Sequence, residues 1–337
     1  EKNQIVFVSA IHAPIKYTLV DEPAHDDLPA IRYASSEPTQ DERWGLLSAI
    51  DLNTKALYCE SIGNPLSNIV DIEELANIAH RHNIPLIVDN TVATPYLLNP
   101  IAYGANIVIQ SLTKYINGNG TALGGAIIDA GTFDWGSGKF PEFTEPSAGY
   151  HGLIYNEVIR AASFIAKVRI EGLRDYGAAL SPFNAFQIIQ GLETLEVRIL
   201  KHSQNALELA QWLQNQEAIE WVNYPGLESS PYKKLAEKYL PKGQSGIVTF
   251  GVKGGFEAAK TIADTTKLFS LLANIGDTKS LIIHPASTTH QQLSDNSQKE
   301  TGVTKELIRL SVGLENIEDL KADLAEALKA VKDLALI

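Results

Sequence analysis

Ser111-Leu112-Thr113-Lys114 follows the apolar run Ile107-Val108-Ile109, and a second apolar run, Pro85-Leu86-Ile87-Val88, ends in Asp89-Asn90. Read as two parallel strands, these runs bring a lysine, two hydroxyls and a carboxylate to carboxyl strand ends. That is the edge at which open α/β sheets bind ligands. A lysine condenses with an aldehyde, an acid keeps a pyridine nitrogen protonated, and hydroxyls hold a phosphate. Together these are the needs of a pyridoxal phosphate (PLP) site. Lys114 attacks a carbonyl only as the neutral amine, so its proton affinity must be lowered by burial or a nearby cation. Asp89, opposite the ring nitrogen, would make the cofactor a strong electron sink for a carbanion at Cα.

Three further residues are candidates. Asn64 lies in the turn Ser61-Ile62-Gly63-Asn64-Pro65 and is placed to meet the cofactor's phenolic oxygen. Arg309 interrupts the apolar pattern Leu307-Ile308-Arg309-Leu310, so it must snorkel or find an anion. A planar guanidinium suits bidentate capture of an amino-acid carboxylate. Ser287, in the polar run after Leu281-Ile282-Ile283, is a second candidate for that carboxylate or for orienting the lysine. Plainer readings stand beside these: a solvated lysine, a turn-starting aspartate, strand-end hydroxyl caps and a turn asparagine.

Other chemistries fit less well. His80 and His82 are two apart on a predicted helix and do not share a face. His284 and His290 have no cysteine or second carboxylate at ligand spacing, so no metal is expected. Gly118, Gly120, Gly124 and Gly125 follow the lysine rather than precede it, unlike a Walker motif. Gly118-Asn119-Gly120 matches only the first half of a dinucleotide fingerprint, and a strand follows it. Cys59 reads as a buried strand residue.

The elements that must position these groups alternate. Strands are expected at Ile5–Val8, Ala56–Glu60, up to Asp89, before Ser111 and at Gly124–Ile128. Asp71 is a predicted N-cap, with Glu74 three residues on, for a helix over 71–79. Residues 21–45, rich in Asp, Glu, Pro and Ser, read as a surface connection. Residues 152–217 read as largely helical. Strand signals return at Ile219–Val222, Gly246–Phe250, Leu281–Ile283 and Leu307–Ser311, with a closing helix over 316–334. This pattern predicts an α/β protein with a mainly parallel sheet and right-handed crossovers.

Bulk properties narrow the partners. The 337 residues carry 28 basic and 40 acidic side chains, a net charge of −12, which argues against nucleic acid or anionic membrane. No apolar run approaches the roughly 20 residues of a membrane span. No secretory signal is recognised at Glu1-Lys2-Asn3-Gln4, and the single cysteine points to a reducing, cytoplasmic setting. The chain has no methionine, even at position 1, and is expected to lack residues near its start.

Ser111-Leu112-Thr113-Lys114-Tyr115-Ile116-Asn117-Gly118-Asn119-Gly120-Thr121 with Leu123-Gly124-Gly125 resembles the lysine motif of the Cys/Met-metabolism PLP enzymes, the cystathionine γ-synthase family. Val88-Asp89-Asn90-Thr91, Glu60-Ser61-Ile62-Gly63-Asn64-Pro65 and His284-Pro285-Ala286-Ser287-Thr288-Thr289-His290 match its other signatures. The resemblance runs from about residue 54 to the C-terminus. It implies an aspartate-aminotransferase-like (fold type I) architecture. Residues 1–170 would form a PLP-binding large domain, and 171–337 the linking helices and a smaller C-terminal domain. By resemblance Lys114 is the Schiff-base lysine and Asp89 the pyridinium partner. Ser111 and Thr113 are phosphate contacts, Asn64 a cofactor and substrate contact, and Arg309 the carboxylate anchor, with Ser287 a weaker transfer. The implied activity is γ-replacement on O-acetyl-L-homoserine by sulfide or a thiol, in a cytoplasmic homotetramer built from dimers. Methionine γ-lyase or cystathionine γ-synthase activity, or a non-catalytic role, are the alternatives. The family's N-terminal cofactor-contacting motifs are not found in residues 1–50.

Overall fold

Short apolar runs bounded by turn residues build the first sheet. The computed structural model describes residues 4–9, 30–35, 50–294, 298 and 302–333, the first two segments by backbone alone. Six strands form this sheet: β1 (Gln4–Ser9), β2 (Ala30–Ser35), β3 (Thr54–Glu60), β4 (Leu86–Asp89), β5 (Ile107–Ser111) and β6 (Gly125–Asp129). Their order is β2-β1-β3-β4-β5-β6, parallel throughout except for the antiparallel β5–β6 pair. The expectation of a mainly parallel sheet is met.

Helix α1 (Ile72–Arg81) covers this sheet with Ile72, Leu75, Ala76, Ile78 and Ala79 buried. Asp71 caps it as the sequence suggests, accepting the Glu74 N–H at 3.3 Å. Between Tyr155 and Tyr176 the chain runs through short helical turns, including a π-turn over Val168–Gly172, rather than one long helix. Long helices follow: α2 (Pro182–Glu193), with Ser181 capping the Asn184 N–H, and α3 (Leu195–Leu213).

The second sheet contains β7 (Ile219–Asn223), β8 (Ile247–Val252), β9 (Ser270–Leu271), β10 (Leu281–Ile283) and β11 (Leu307–Ser311). Its order is β7-β8-β11-β10-β9, antiparallel except where β9 meets β10. Helices α4 (Gly255–Thr265) and α5 (Ile317–Asp333) pack on it through Ala258, Ala259, Ile262, Leu320, Leu324 and Val331. One helix joins the two halves. Leu195 and Ile199 of α3 belong to the first core, whereas Ala206, Leu209 and Leu213 belong to the second.

One expectation needs correction, and one strand went unread. The supposed surface connection over 21–45 contains β2, paired with β1 from Gln4↔Ala30 to Ser9↔Ser35. Ala30-Ile31-Arg32-Tyr33-Ala34-Ser35 is a β-prone core whose Asp-, Pro- and Ser-rich flanks conceal it. The rest of that stretch lies outside the described residues. The two-residue strand β9 had no sequence signal, being too short to show a period.

Candidate active site

Parallel strands end together, and that alone aligns the first groups. Glu60 closes β3, Asp89 closes β4 in register with it, and Ser111 closes β5. Asp89 is held from two sides: Tyr58 donates its hydroxyl to Oδ2 at 3.2 Å, and the Thr91 N–H donates to Oδ1 at 2.9 Å. Burial first, then the Asp89 charge, raises the Tyr58 hydroxyl's pKa. Burial, with the Asp89 charge beside it, pushes Glu60 up to about 7, although its side chain reaches solvent.

The lysine turn is pinned from beneath. Asn117, fully buried, accepts the Asn119 and Thr121 N–H groups at its side-chain oxygen, folding Lys114–Thr121 back on itself. Gly118 adopts φ +75°, and a Cβ there would meet the Arg198 guanidinium at 2.4 Å. Arg198 is 7% exposed and donates to the carbonyls of Tyr115 (2.7 Å), Ile116 (3.2 Å) and Gly191 (2.6 Å), with Nε on Thr194 Oγ1 (3.0 Å). Helix α2 is pressed against the same turn, since a Cβ on Gly191 would lie 2.3 Å from the Ile116 oxygen.

The two predicted phosphate hydroxyls are placed differently. Thr113 Oγ1 donates to the Gly124 carbonyl at 3.2 Å and accepts the Gly124 N–H at 3.1 Å, fastening the turn to the start of β6. Its hydrogen is engaged there. Ser111 Oγ has no protein hydrogen bond among the described residues, while its backbone N–H is held by Thr91 Oγ1 at 2.8 Å.

Lys114 and Arg309 complete the group from opposite sheets. Lys114 Nζ donates to the Asn274 side-chain oxygen at 2.5 Å. Burial and then the Arg309 charge lower the lysine's proton affinity, the condition a neutral amine needs. Arg309, central in β11 and 7% exposed, donates to Asn64 Oδ1 at 3.1 Å and to the Asn274 carbonyl at 2.9 Å. Its buried Nε has no partner, and no carboxylate pairs with it among the described residues. Burial pushes this guanidinium down to about 10. A buried cation facing only neutral acceptors, with a donor unused, is a site prepared for an anion.

Lys114, Asn64 and Arg309 are thus brought together, with Asp89 and Ser111 along the adjoining strand ends. Ser287 makes its hydrogen bonds within its own turn. Its hydroxyl meets His284 Nδ1 at 2.9 Å and donates to the His284 carbonyl at 3.3 Å, within the turn Pro285–Ser287. Sequence reasoning gave no role to Tyr58, Arg198 or Asn274. Cys59 is buried in β3, as expected.

Residues 29–329 match the family described as Cys/Met metabolism PLP-dependent enzyme. The chain is 53% identical over 287 residues to O-acetyl-L-homoserine sulfhydrylase of Leptospira meyeri, covering 82% of this chain and 65% of that protein. It is 47% identical over 305 residues to homocysteine synthase of Schizosaccharomyces pombe, covering 90% of this chain and 71% of that one. The chain thus spans about two thirds of the length of these relatives. A Campylobacter jejuni crystal structure, described as an O-acetylhomoserine (thiol)-lyase carrying N'-pyridoxyl-lysine-5'-monophosphate, superposes with a TM-score of 0.88 at 43% identity. That match covers 97% of this chain and 77% of the Campylobacter one. A family match over most of the sequence, with relatives about half identical over four fifths of it, leads to one conclusion: the chain belongs to the Cys/Met metabolism PLP-dependent enzyme family.

Proposed function

We propose that this protein replaces the acetoxy group of O-acetyl-L-homoserine with sulfide or a thiol, yielding homocysteine or methionine and acetate. The observation that carries the reading is Lys114 beside Arg309. One is an amine of lowered proton affinity, and the other is a buried guanidinium with an unpartnered Nε. The names of the relatives support the choice of substrate.

The residues present fit PLP. Lys114 would hold its aldehyde carbon, Asp89 its ring nitrogen, Ser111 its phosphate and Asn64 its phenolic oxygen. Thr113 would join Ser111 on exchanging its bond to Gly124. When bound, the cofactor supplies an electron sink for negative charge at the substrate's Cα. Arg309 binds the substrate α-carboxylate through Nε and a terminal N–H. Lys114, as the free amine, takes the Cα proton, passes that proton on and so becomes neutral again. Only then does it take a Cβ proton, as acetate leaves from Cγ. The same ammonium returns a proton after sulfide or the thiol has added. One base serves both because it stands on one face of the substrate.

The chain is further proposed to assemble as a homotetramer in the cytoplasm. Phe183, Phe186, Ile189 and Leu192 along α2 are 70%, 59%, 55% and 50% exposed, an apolar surface that self-association would cover. Among the described residues no helix is long and apolar enough to cross a membrane.

Two measurements test the activity. Borohydride reduction in the presence of PLP is expected to add a cofactor-sized mass mapping to Lys114; no such adduct would end the reading. Acetate release from O-acetyl-L-homoserine is then followed with and without sulfide. Sulfide-dependent release supports replacement, and keto-acid formation without an acceptor would instead identify a lyase.

A further inference from the structure

Tyr58 stands on β3 two residues before that strand ends, and Asp89 closes the neighbouring β4. The register Tyr58↔Ile87 and Glu60↔Asp89, with the alternation of strand side chains, sets Tyr58, Glu60 and Asp89 on one face of the sheet. From there the Tyr58 hydroxyl crosses diagonally to Asp89 Oδ2 at 3.2 Å. Burial, and then the charge of Asp89, keep the phenol protonated, so it serves as the donor. The other oxygen, Oδ1, accepts the Thr91 N–H at 2.9 Å. Thr91 is itself fastened, because its Oγ1 accepts the Ser111 N–H at 2.8 Å. One donor comes from the turn after β4 and the other from a different strand. The plane of the carboxylate is thus fixed from two directions, and each oxygen keeps a lone pair for a further donor.

We propose that Tyr58 is a positioning residue for Asp89, and through Asp89 for the ring nitrogen of the cofactor. This role rests on the proposed contact between Asp89 and that nitrogen. A carboxylate held by the Thr91 N–H alone turns readily about its Cβ–Cγ bond, a torsion with a broad minimum. The Tyr58 hydroxyl removes that freedom before the cofactor arrives, so the ordering is not left to the binding step. It does so without a charge of its own. A cation in its place would pair with Asp89 and compete with a protonated ring nitrogen for it. A phenylalanine in its place would keep the ring on the strand and lose the hold on Oδ2.

The test compares two compounds by isothermal titration into the purified full chain: PLP, and its carbocyclic analogue in which C–H replaces the ring nitrogen. Both carry the aldehyde and the phosphate, and only PLP has a nitrogen for Asp89 to meet. Wild type is expected to prefer PLP by about tenfold. Tyr58→Phe is expected to cut that preference about fivefold while binding the analogue as wild type does. Tyr58→Leu, which also lacks the hydroxyl, is expected to show the same cut even if its looser packing weakens both compounds. A merely structural role predicts equal weakening of the two, so a preference left unchanged in both variants would overturn the proposal. Asp89→Asn separates this result from a failure of the Asp89 contact. If wild type prefers PLP, Asp89→Asn abolishes the preference and both Tyr58 variants keep it, the Asp89 contact stands and the role of Tyr58 is overturned. If wild type binds the two compounds equally, or binds neither, the role of Tyr58 falls together with the Asp89 contact.

Discussion

Arg198 and Arg309 are both 7% exposed, and neither has a carboxylate partner among the described residues, yet they do opposite work. Arg198 lies beneath the lysine turn with both terminal nitrogens and Nε engaged by three carbonyls and a threonine. Arg309 lies in β11 with two neutral contacts and an Nε that has none. Every nitrogen of the first guanidinium is engaged by the chain itself. The second is left short of acceptors. Burying a charge without full compensation costs stability, so a fully engaged cation fits a structural role and an under-engaged one fits the proposed binding of an anion. The distinction can be broken by experiment.

The largest expected effect is at Arg198. Arg198→Met leaves the carbonyls of Tyr115 and Ile116 without their donor, while Gly191 keeps the Thr194 N–H and hydroxyl, and a loss of about 3–5 kcal/mol in folding stability is expected. Chemical denaturation measures it; a loss below about 1 kcal/mol would mean those carbonyls find other donors. Acid probes the same region. His202 packs edge-on to Tyr115 at 5.3 Å, and its Nδ1 meets the Val312 carbonyl at 2.6 Å, so Nδ1 carries the hydrogen of the neutral ring. Burial pushes this histidine down to about 4, the Val312 carbonyl opposing and the Arg198 charge assisting. On unfolding, the ring takes up a proton at any pH below its ordinary value of about 6.5. Its contribution is therefore complete above pH 6.5 and lost as pH falls to 4, up to about 3 kcal/mol. Melting temperature against pH should show that slope in wild type and a shallower one in His202→Gln.

How much of this contrast the sequence carried depends on where each residue's partner lies. The places of Asp89 and Lys114 were legible because apolar runs end at or just before them on one edge of a parallel sheet, and that of Arg309 because it interrupts the apolar pattern of β11 in the second sheet. Arg198 was not. In Leu195-Glu196-Val197-Arg198 it reads as one polar position of an amphipathic helix, and its acceptors lie about 80 residues upstream as well as on the preceding helix. Asn274 was hidden likewise, since Ala273-Asn274-Ile275-Gly276-Asp277 has the composition of an ordinary turn. Ser287 shows the converse. Its motif suggested a site residue, whereas local geometry turns the hydroxyl to His284 three residues back. The fold followed the same rule. Strands with clear apolar runs were found within a residue or two, and those with hidden or very short runs, β2 and β9, were not.

Arg309 sharpens the comparison from the other side. Arg309→Leu removes a poorly compensated buried charge, so stability is expected to stay within about 1 kcal/mol of wild type. Affinity for an amino-acid substrate should fall about 10–100-fold, the worth of a charge-assisted contact of about 1.5–3 kcal/mol. The KM of the amino acid reports the loss, and the corresponding amine without a carboxylate should show none. Equal losses for both compounds would remove Arg309 from the role of carboxylate anchor.

The smallest test repeats the contrast between saturated and unsaturated groups with two hydroxyls on one strand end. Thr113 both donates to and accepts from Gly124, whereas Ser111 Oγ has no protein partner among the described residues. Thr113→Val keeps the shape but removes the hydroxyl, and a stability loss of about 1 kcal/mol is expected from the two broken bonds. Ser111→Ala breaks nothing in the folded chain, so its melting temperature should be unchanged. If Ser111 is the hydroxyl that meets the phosphate, the same change weakens PLP binding by about fivefold, the worth of one hydrogen bond near 1 kcal/mol. Isothermal titration with PLP, run beside thermal melts, separates the two residues. Should Thr113→Val weaken binding more than Ser111→Ala does, Thr113 must release Gly124 on meeting the phosphate. The lysine turn would then be held one way alone and another way when loaded.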